Sequence, residues 1–189
     1  SAVVANAAIH PPEMDNTAYV LMDYNTGEIL AQKNANEALP PASLTKMMTS
    51  YIIEQRLASG DLKEDEQVLM SPNAWCRGSS SQSCMYVPVN KTASVIDMLR
   101  GIIIQSGNDA SKAMAEASFA ILMNEQAQKI GMENSNFVNA TGMPDEGHLA
   151  SALDLSKLAR AIIKNSGDYY SIYAEKEFTY NGITQGNRN

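Results

Sequence analysis

The residues with the clearest chemical potential are Ser43-Leu44-Thr45-Lys46. In a helix, positions i and i+3 share a face. Ser43 Oγ and Lys46 Nζ are therefore expected within hydrogen-bond reach of each other. A serine hydroxyl is a weak nucleophile at neutral pH and needs an adjacent base. A lysine becomes that base when burial or a neighbouring cation favours its neutral amine. A helix start adds a partial positive charge that favours a developing oxyanion. The two histidines, His10 and His148, are far apart in sequence and have no local context for a Ser-His-Asp arrangement. A serine–lysine mechanism fits the residues better. Against it stands a plain structural explanation, since serine is a common helix cap.

A second cluster is Ser106-Gly107-Asn108. It interrupts two apolar, helix-like stretches, where a hydroxyl and a carboxamide can face a cleft. The hydroxyl could relay a proton to a leaving nitrogen, and the amide could hold a peptide carbonyl. The bland alternative is a turn followed by a helix cap at Asn108 or Asp109.

The elements that must position these groups follow from periodicity. Apolar runs at Ala18 to Asp23 and Glu28 to Gln32 flank Tyr24-Asn25-Thr26-Gly27, a hairpin pattern. After Pro40-Pro41-Ala42, helical spacing of Met47, Met48, Tyr51, Ile52 and Leu57 predicts a helix that ends at Gly60. Residues 71–92 read as loop with one short strand over Met85 to Val89. Helices are predicted over Ser94 to Ile103, from about Asp109 to Ile130, and over Ser151 to Lys164. The stretch around Phe178-Thr179-Tyr180 reads as a late strand. Strands near both ends with helices between them define an α/β (α+β) arrangement with a helical lobe at roughly residues 60–150. Residues 1–12 read as an irregular lead-in, broken by Pro11-Pro12.

The 189 residues suffice for one sizeable core, and no apolar run is long enough to span a membrane. A net charge of -7 argues against nucleic acid as a partner. Cys76 and Cys84 lie close together in a Ser-rich stretch, which leaves a local disulfide and two reduced small hydrophobes both open. Without a nearby histidine pair they do not suggest a zinc site. The small apolar start is compatible with an exported chain but lacks the charged and long apolar regions of a signal peptide.

Ser-x-x-Lys followed by Ser-x-Asn is a signature of penicillin-binding proteins and class A β-lactamases. Here Pro41-Ala-Ser-Leu-Thr-Lys-Met-Met-Thr49 and Gln105-Ser-Gly-Asn-Asp-Ala110 resemble the low-molecular-mass penicillin-binding proteins that act as D-alanyl-D-alanine carboxypeptidases. Tyr24-Asn-Thr-Gly-Glu28 is similar to that family's first hairpin, and Asn139-Ala-Thr-Gly-Met143 to its loop before the next helix. Tyr170-Ser-Ile-Tyr173 with Glu177-Phe-Thr-Tyr-Asn-Gly182 resembles the penicillin-binding protein 5/6 type. The resemblance covers residues 13–189 and implies an antiparallel sheet flanked by helices. It implies Ser43 as the acylated nucleophile, Lys46 as its general base, Ser106 as a proton shuttle and Asn108 as a substrate-binding amide. It implies no cofactor and no metal. The implied partners are peptidoglycan stem peptides, with β-lactams as covalent inhibitors. The implied location is the periplasm, at the outer face of the inner membrane.

The sequence departs from the family at its third element, Lys-Thr-Gly, which is absent. Lys91-Thr92-Ala93 precedes Ser106 and ends in Ala, so it does not substitute. The expectation is an N-terminal part of the catalytic domain that is incomplete alone. The Lys-Thr-Gly strand would come from a downstream segment or a second chain, and a membrane anchor would also lie downstream. Two other readings remain. A class A β-lactamase needs Glu-x-x-Leu-Asn, and Glu177-Phe-Thr-Tyr-Asn181 has Tyr for Leu and alternates like a strand. A non-catalytic wall-binding module would keep the fold without an activated serine.

Overall fold

The structure, a computed structural model, describes residues 10–78, 81–115 and 118–189. It contains three antiparallel strand pairs and five α-helices among those residues. Strands β1 (Tyr19–Met22) and β2 (Ile29–Lys33) form the expected hairpin, with Tyr19 opposite Lys33. Its turn is closed by Asp23, whose carboxylate accepts from Thr26 N–H at 2.7 Å, and by Gly27 at φ 76°. Arg160 donates to the carbonyls of Tyr24 and Asn25 and so pins the hairpin tip to a later helix.

A 3-10 turn, Ala42–Leu44, leads into α1 (Thr45–Ser59), which ends at Gly60 with φ 83° as the spacing predicts. Strands β3 (Gln67–Leu69) and β4 (Thr92–Ser94) pair across the long loop; periodicity did not show either, because each has only three residues. Helix α2 (Val95–Gln105) is capped by Ser94, whose hydroxyl accepts from Asp97 N–H. Helices α3 (Asn108–Met114) and α4 (Phe119–Ile130) follow. Next comes α5 (Ala152–Asn165), capped by Ser151 and matching the predicted helix closely. The chain then forms a 3-10 stretch, Gly167–Ala174, and the hairpin of β5 (Glu177–Tyr180) and β6 (Ile183–Gly186).

Two expectations are corrected. Met85 to Val89 is not a strand: the amides of Met85 and Tyr86 both donate to the Asp109 carboxylate at 2.8 Å, which leaves no ladder to form. The single helix predicted from Asp109 to Ile130 is two helices. Ala115 adopts an extended conformation (φ -87°, ψ 109°), and this break lets α3 and α4 serve different cores. Met114 packs in one cluster with Ile53, Met98 and Ile102, whereas Phe119 and Met123 pack in another with Met48, Phe137 and Leu158.

Helix α1 runs between these two clusters and contributes to both, through Ile53 and Leu57 on one side and Met48 and Ile52 on the other. That position explains why polar residues of α1 are buried: Thr45, Lys46, Thr49 and Glu54 are each at most 4% exposed. Groups so enclosed must find partners within the protein. Lys46 and its neighbours do so, and those partnerships build the site. No helix among the described residues is long and apolar enough to cross a membrane.

Candidate active site

Ser43 lies in the 3-10 turn just before α1, not at a side-chain cap, so its hydroxyl is free of the capping role. Ala42 precedes it with φ 48°, a left-handed conformation that costs a non-glycine residue about 1–2 kcal/mol. The loop Asn139–Met143 holds this turn in place. Asn139 Oδ1 accepts from the amides of Thr141 and Gly142, at 3.1 and 2.8 Å, which curls the loop tightly. Gly142, at φ 83°, then presses against Ala42; a Cβ there would lie 1.8 Å from the Ala42 carbonyl oxygen. Only glycine permits this approach.

The same loop orients the lysine. Lys46 Nζ donates to the Thr141 carbonyl at 2.7 Å and lies 3.3 Å from Ser43 Oγ. Burial, aided by the positive charge of Arg188, lowers the Lys46 pKa to about 8. A neutral amine keeps two N–H groups and one lone pair. One N–H can stay on Thr141 while the lone pair faces the serine hydroxyl, which is the arrangement a general base requires.

Ser43 and Lys46 line a cavity of about 550 Å³ together with Ser106, Tyr173 and Arg188. Ser106 ends α2 in a left-handed conformation (φ 53°, ψ 40°), and its enclosed Oγ has no hydrogen-bond partner. A buried hydroxyl without a partner costs free energy, and so does the left-handed backbone that carries it. Asn108 stands apart from these three. It is 5% exposed and does not line the cavity; its Nδ2 donates to Gln82 Oε1 at 3.3 Å and contacts Met143 Sδ at 3.8 Å. The structure thus brings Ser43, Lys46 and Ser106 to one cavity and seats Asn108 outside its lining, against Gln82 and Met143.

Sequence reasoning missed several supports. Asp109 anchors the Met85–Tyr86 segment beside Asn108, a role that its position at a helix start does not signal. His148 has a context that no neighbour in sequence reveals. It is 2% exposed, its Nδ1 accepts from Val138 N–H at 2.9 Å, and its Nε2 lies 2.7 Å from Thr45 Oγ1. The proton therefore sits on Nε2 and donates to Thr45. Burial lowers the His148 pKa, in keeping with a neutral ring that ties the loop to the Ser43–Lys46 turn. The bonds of Thr141 and Ala42 are made by backbone carbonyls, for which side-chain identity gives no signal.

Glu54, about two turns further along α1 than Lys46, receives hydrogen bonds from Ser166 Oγ and from Tyr173 OH. Burial raises its pKa to about 7 against those two bonds. Cys76 and Cys84 form a disulfide with Cα atoms 6.3 Å apart, which decides the question that the sequence left open. The Glu177–Asn181 string is the strand β5 and its turn, as its alternation suggested.

Ser43 with a buried lysine at i+3, lining one cavity with an unpartnered serine on a mixed α/β scaffold, is the arrangement on which a serine–lysine acyl-transfer site can be built. The chain belongs to the D-alanyl-D-alanine carboxypeptidase family Peptidase_S11, which matches residues 5–189. It is 41% identical over 187 residues to the D-alanyl-D-alanine carboxypeptidase DacA of Escherichia coli strain K12, covering 94% of this chain and 46% of that protein. Penicillin-binding protein 5 from Haemophilus influenzae superposes with a TM-score of 0.92 at 40% identity, over 95% of this chain and 54% of that one. Penicillin-binding protein 6B from Escherichia coli gives 0.91 at 37% identity, over 97% and 61%. The chain spans about half the length of the curated relatives it matches.

Proposed function

We propose that this chain carries the nucleophile and base of a serine-type D-alanyl-D-alanine carboxypeptidase. In this reading it trims peptidoglycan stem peptides in the bacterial periplasm, at the outer face of the inner membrane, and is acylated by β-lactams. One observation carries the reading: Lys46 Nζ sits 3.3 Å from Ser43 Oγ in an enclosed site that favours the free amine.

The geometry supports a definite sequence of steps. Neutral Lys46 takes the Ser43 Oγ proton as Oγ attacks the carbonyl carbon between the two terminal D-alanines. The start of α1 favours the negative charge on the tetrahedral oxygen. Ser106, which lines the same cavity and whose Oγ is unpartnered, passes a proton from Lys46 to the leaving nitrogen. The carbon–nitrogen bond breaks, D-alanine departs, and Ser43 keeps the acyl group as an ester. Water then cleaves that ester, with Lys46 as the base once more. A β-lactam follows the first half of this path, its ring amide opening onto Ser43. Asn108, held by Gln82, would bind the backbone of the peptide.

The test is release of D-alanine by the full-length protein from a diacetyl-lysyl-D-alanyl-D-alanine peptide, with nitrocefin turnover in parallel. D-alanine release with slow nitrocefin turnover supports the carboxypeptidase. Rapid nitrocefin turnover without D-alanine release would assign a β-lactamase instead. Neither activity, together with no penicillin labelling, would leave a non-catalytic module.

A further inference from the structure

The Cys76–Cys84 disulfide joins two enclosed residues, 3% and 0% exposed, and the segment at Cys84 touches the cavity-lining Arg188 through Ser83. The residues beside Cys84 make the contacts that matter. Gln82 Oε1 accepts from Asn108 Nδ2 at 3.3 Å, and the Ser83 carbonyl accepts from Asn108 N–H at 2.8 Å. Ser83 Oγ accepts from Arg188 Nη1, and Arg188 lines the cavity with Ser43 and Lys46. The Cys84 carbonyl accepts from Gln185 Nε2 at 2.9 Å, which ties the same segment to β6. The contacts of Asn108 and Arg188 named here thus converge on Gln82 and Ser83, and that of Gln185 on the adjacent Cys84.

On the other side, the segment is held by Asp109. Its carboxylate accepts from the amides of Met85 and Tyr86 and lies within 4.8 Å of both cysteine sulfurs. The disulfide is the covalent link between this hub and the start of the loop at Cys76, eight residues earlier. The disulfide thus adds a covalent restraint on Gln82 and Ser83 to the hydrogen bonds already named. A cross-link of this kind acts chiefly by removing alternative conformations.

We propose that the Cys76–Cys84 disulfide is a positioning element of the acyl-transfer site, holding Gln82 and Ser83 against Asn108 and Arg188, so that its redox state sets the enzyme's efficiency. Reduction by a dithiol breaks the Sγ–Sγ bond, yields two thiols and converts the reductant to its own disulfide. The freed loop lets Gln82 and Ser83 move away, Asn108 loses its alignment, and the bound peptide is held less well. The proposal rests on the carboxypeptidase reading.

The test uses the full-length protein. Wild type, with the disulfide verified by intact mass, is compared with protein reduced by dithiothreitol and alkylated, and with the Cys76→Ala/Cys84→Ala double variant. D-alanine release gives kcat and KM separately, fluorescent penicillin gives the acylation rate, and thermal unfolding is followed alongside. The expected result is a rise in KM and a fall in kcat/KM of about 10-fold to 100-fold, the scale of an ångström-sized misplacement. Gln82→Ala, with the disulfide intact, should reproduce the rise in KM with little change in unfolding temperature. That variant reads the same link even where reductant fails to reach the buried bond or the double variant fails to fold. Unchanged kcat/KM in the reduced protein, or wild-type KM in Gln82→Ala, overturns the proposal. Oxidised wild type that releases no D-alanine and takes no penicillin label would instead defeat the carboxypeptidase reading.

Discussion

Gly142→Ala is the substitution that most sharply separates site geometry from general stability. The new Cβ would lie 1.8 Å from the Ala42 carbonyl oxygen and 2.9 Å from Thr45 Oγ1. Reaching even 3.0 Å from that oxygen means moving the two backbones apart by about 1.2 Å. The atoms on either side are those that set the distance between Ser43 Oγ and Lys46 Nζ. Lys46 Nζ bridges from Thr141 O at 2.7 Å to Ser43 Oγ at 3.3 Å, so one of those contacts must lengthen beyond hydrogen-bond range. An ångström of misplacement costs on the order of 100-fold in rate. The stability cost combines overpacking, about 1–3 kcal/mol, with alanine held at φ 83°, about 1–2 kcal/mol. Gly131→Ala supplies the control: its φ is 81°, but no atom lies within 4 Å of the added Cβ. The assay is the second-order acylation constant for a fluorescent penicillin, measured on full-length protein beside urea unfolding. Gly131→Ala should lose only stability, whereas Gly142→Ala should also acylate about 100-fold more slowly. If both variants acylate alike, the loop does not set the Ser43–Lys46 geometry.

Other perturbations test the remaining parts of the site. Acylation by wild type should rise with pH and level off above about 8, where Lys46 becomes the free amine. Lys46→Arg should remove that rise and slow acylation by about 10²–10⁴-fold, because arginine does not lose its proton; a normal rate would reduce Lys46 to a structural charge. The raised pKa of Glu54 means that the folded state binds more protons than the unfolded one. Its stabilising contribution is full below about 4.5 and is lost as pH rises through about 7. Glu54→Gln should remove this loss, on the order of 3 kcal/mol in urea unfolding at pH 8 relative to pH 4; identical pH dependence in variant and wild type would contradict it. His148→Ala leaves Thr45 Oγ1 and Val138 N–H without their partner, and should cost about 2–4 kcal/mol of stability. A fully stable His148→Ala protein would show that the bridge contributes nothing.

What could be read from the sequence was what side-chain type and period encode. The Ser43–Lys46 pairing follows from helical spacing, and the structure realises it with an offset: Ser43 lies in a 3-10 turn and Lys46 in α1. The hairpin, the Gly60 stop and the Ser151 start were legible because each has a local cause, namely a turn, a left-handed cap and a side-chain cap. The break at Ala115 was not legible, because alanine favours helix and only the separate burial of Met114 and Phe119 splits the segment. Met85 to Val87 has the apolar pattern of a strand, but Asp109, distant in sequence, takes its amides. The Thr141 carbonyl and the Gly142–Ala42 contact are backbone features of a loop that only the resemblance to known proteins had singled out.

The central claim is that Ser43 is the nucleophile. Its most direct test is to expose the full-length protein to benzylpenicillin, digest it and locate the adduct by mass spectrometry. One penicilloyl group per chain is expected, on the peptide containing Ser43, and none in Ser43→Ala. An adduct on another residue, or one that persists in Ser43→Ala, would contradict it.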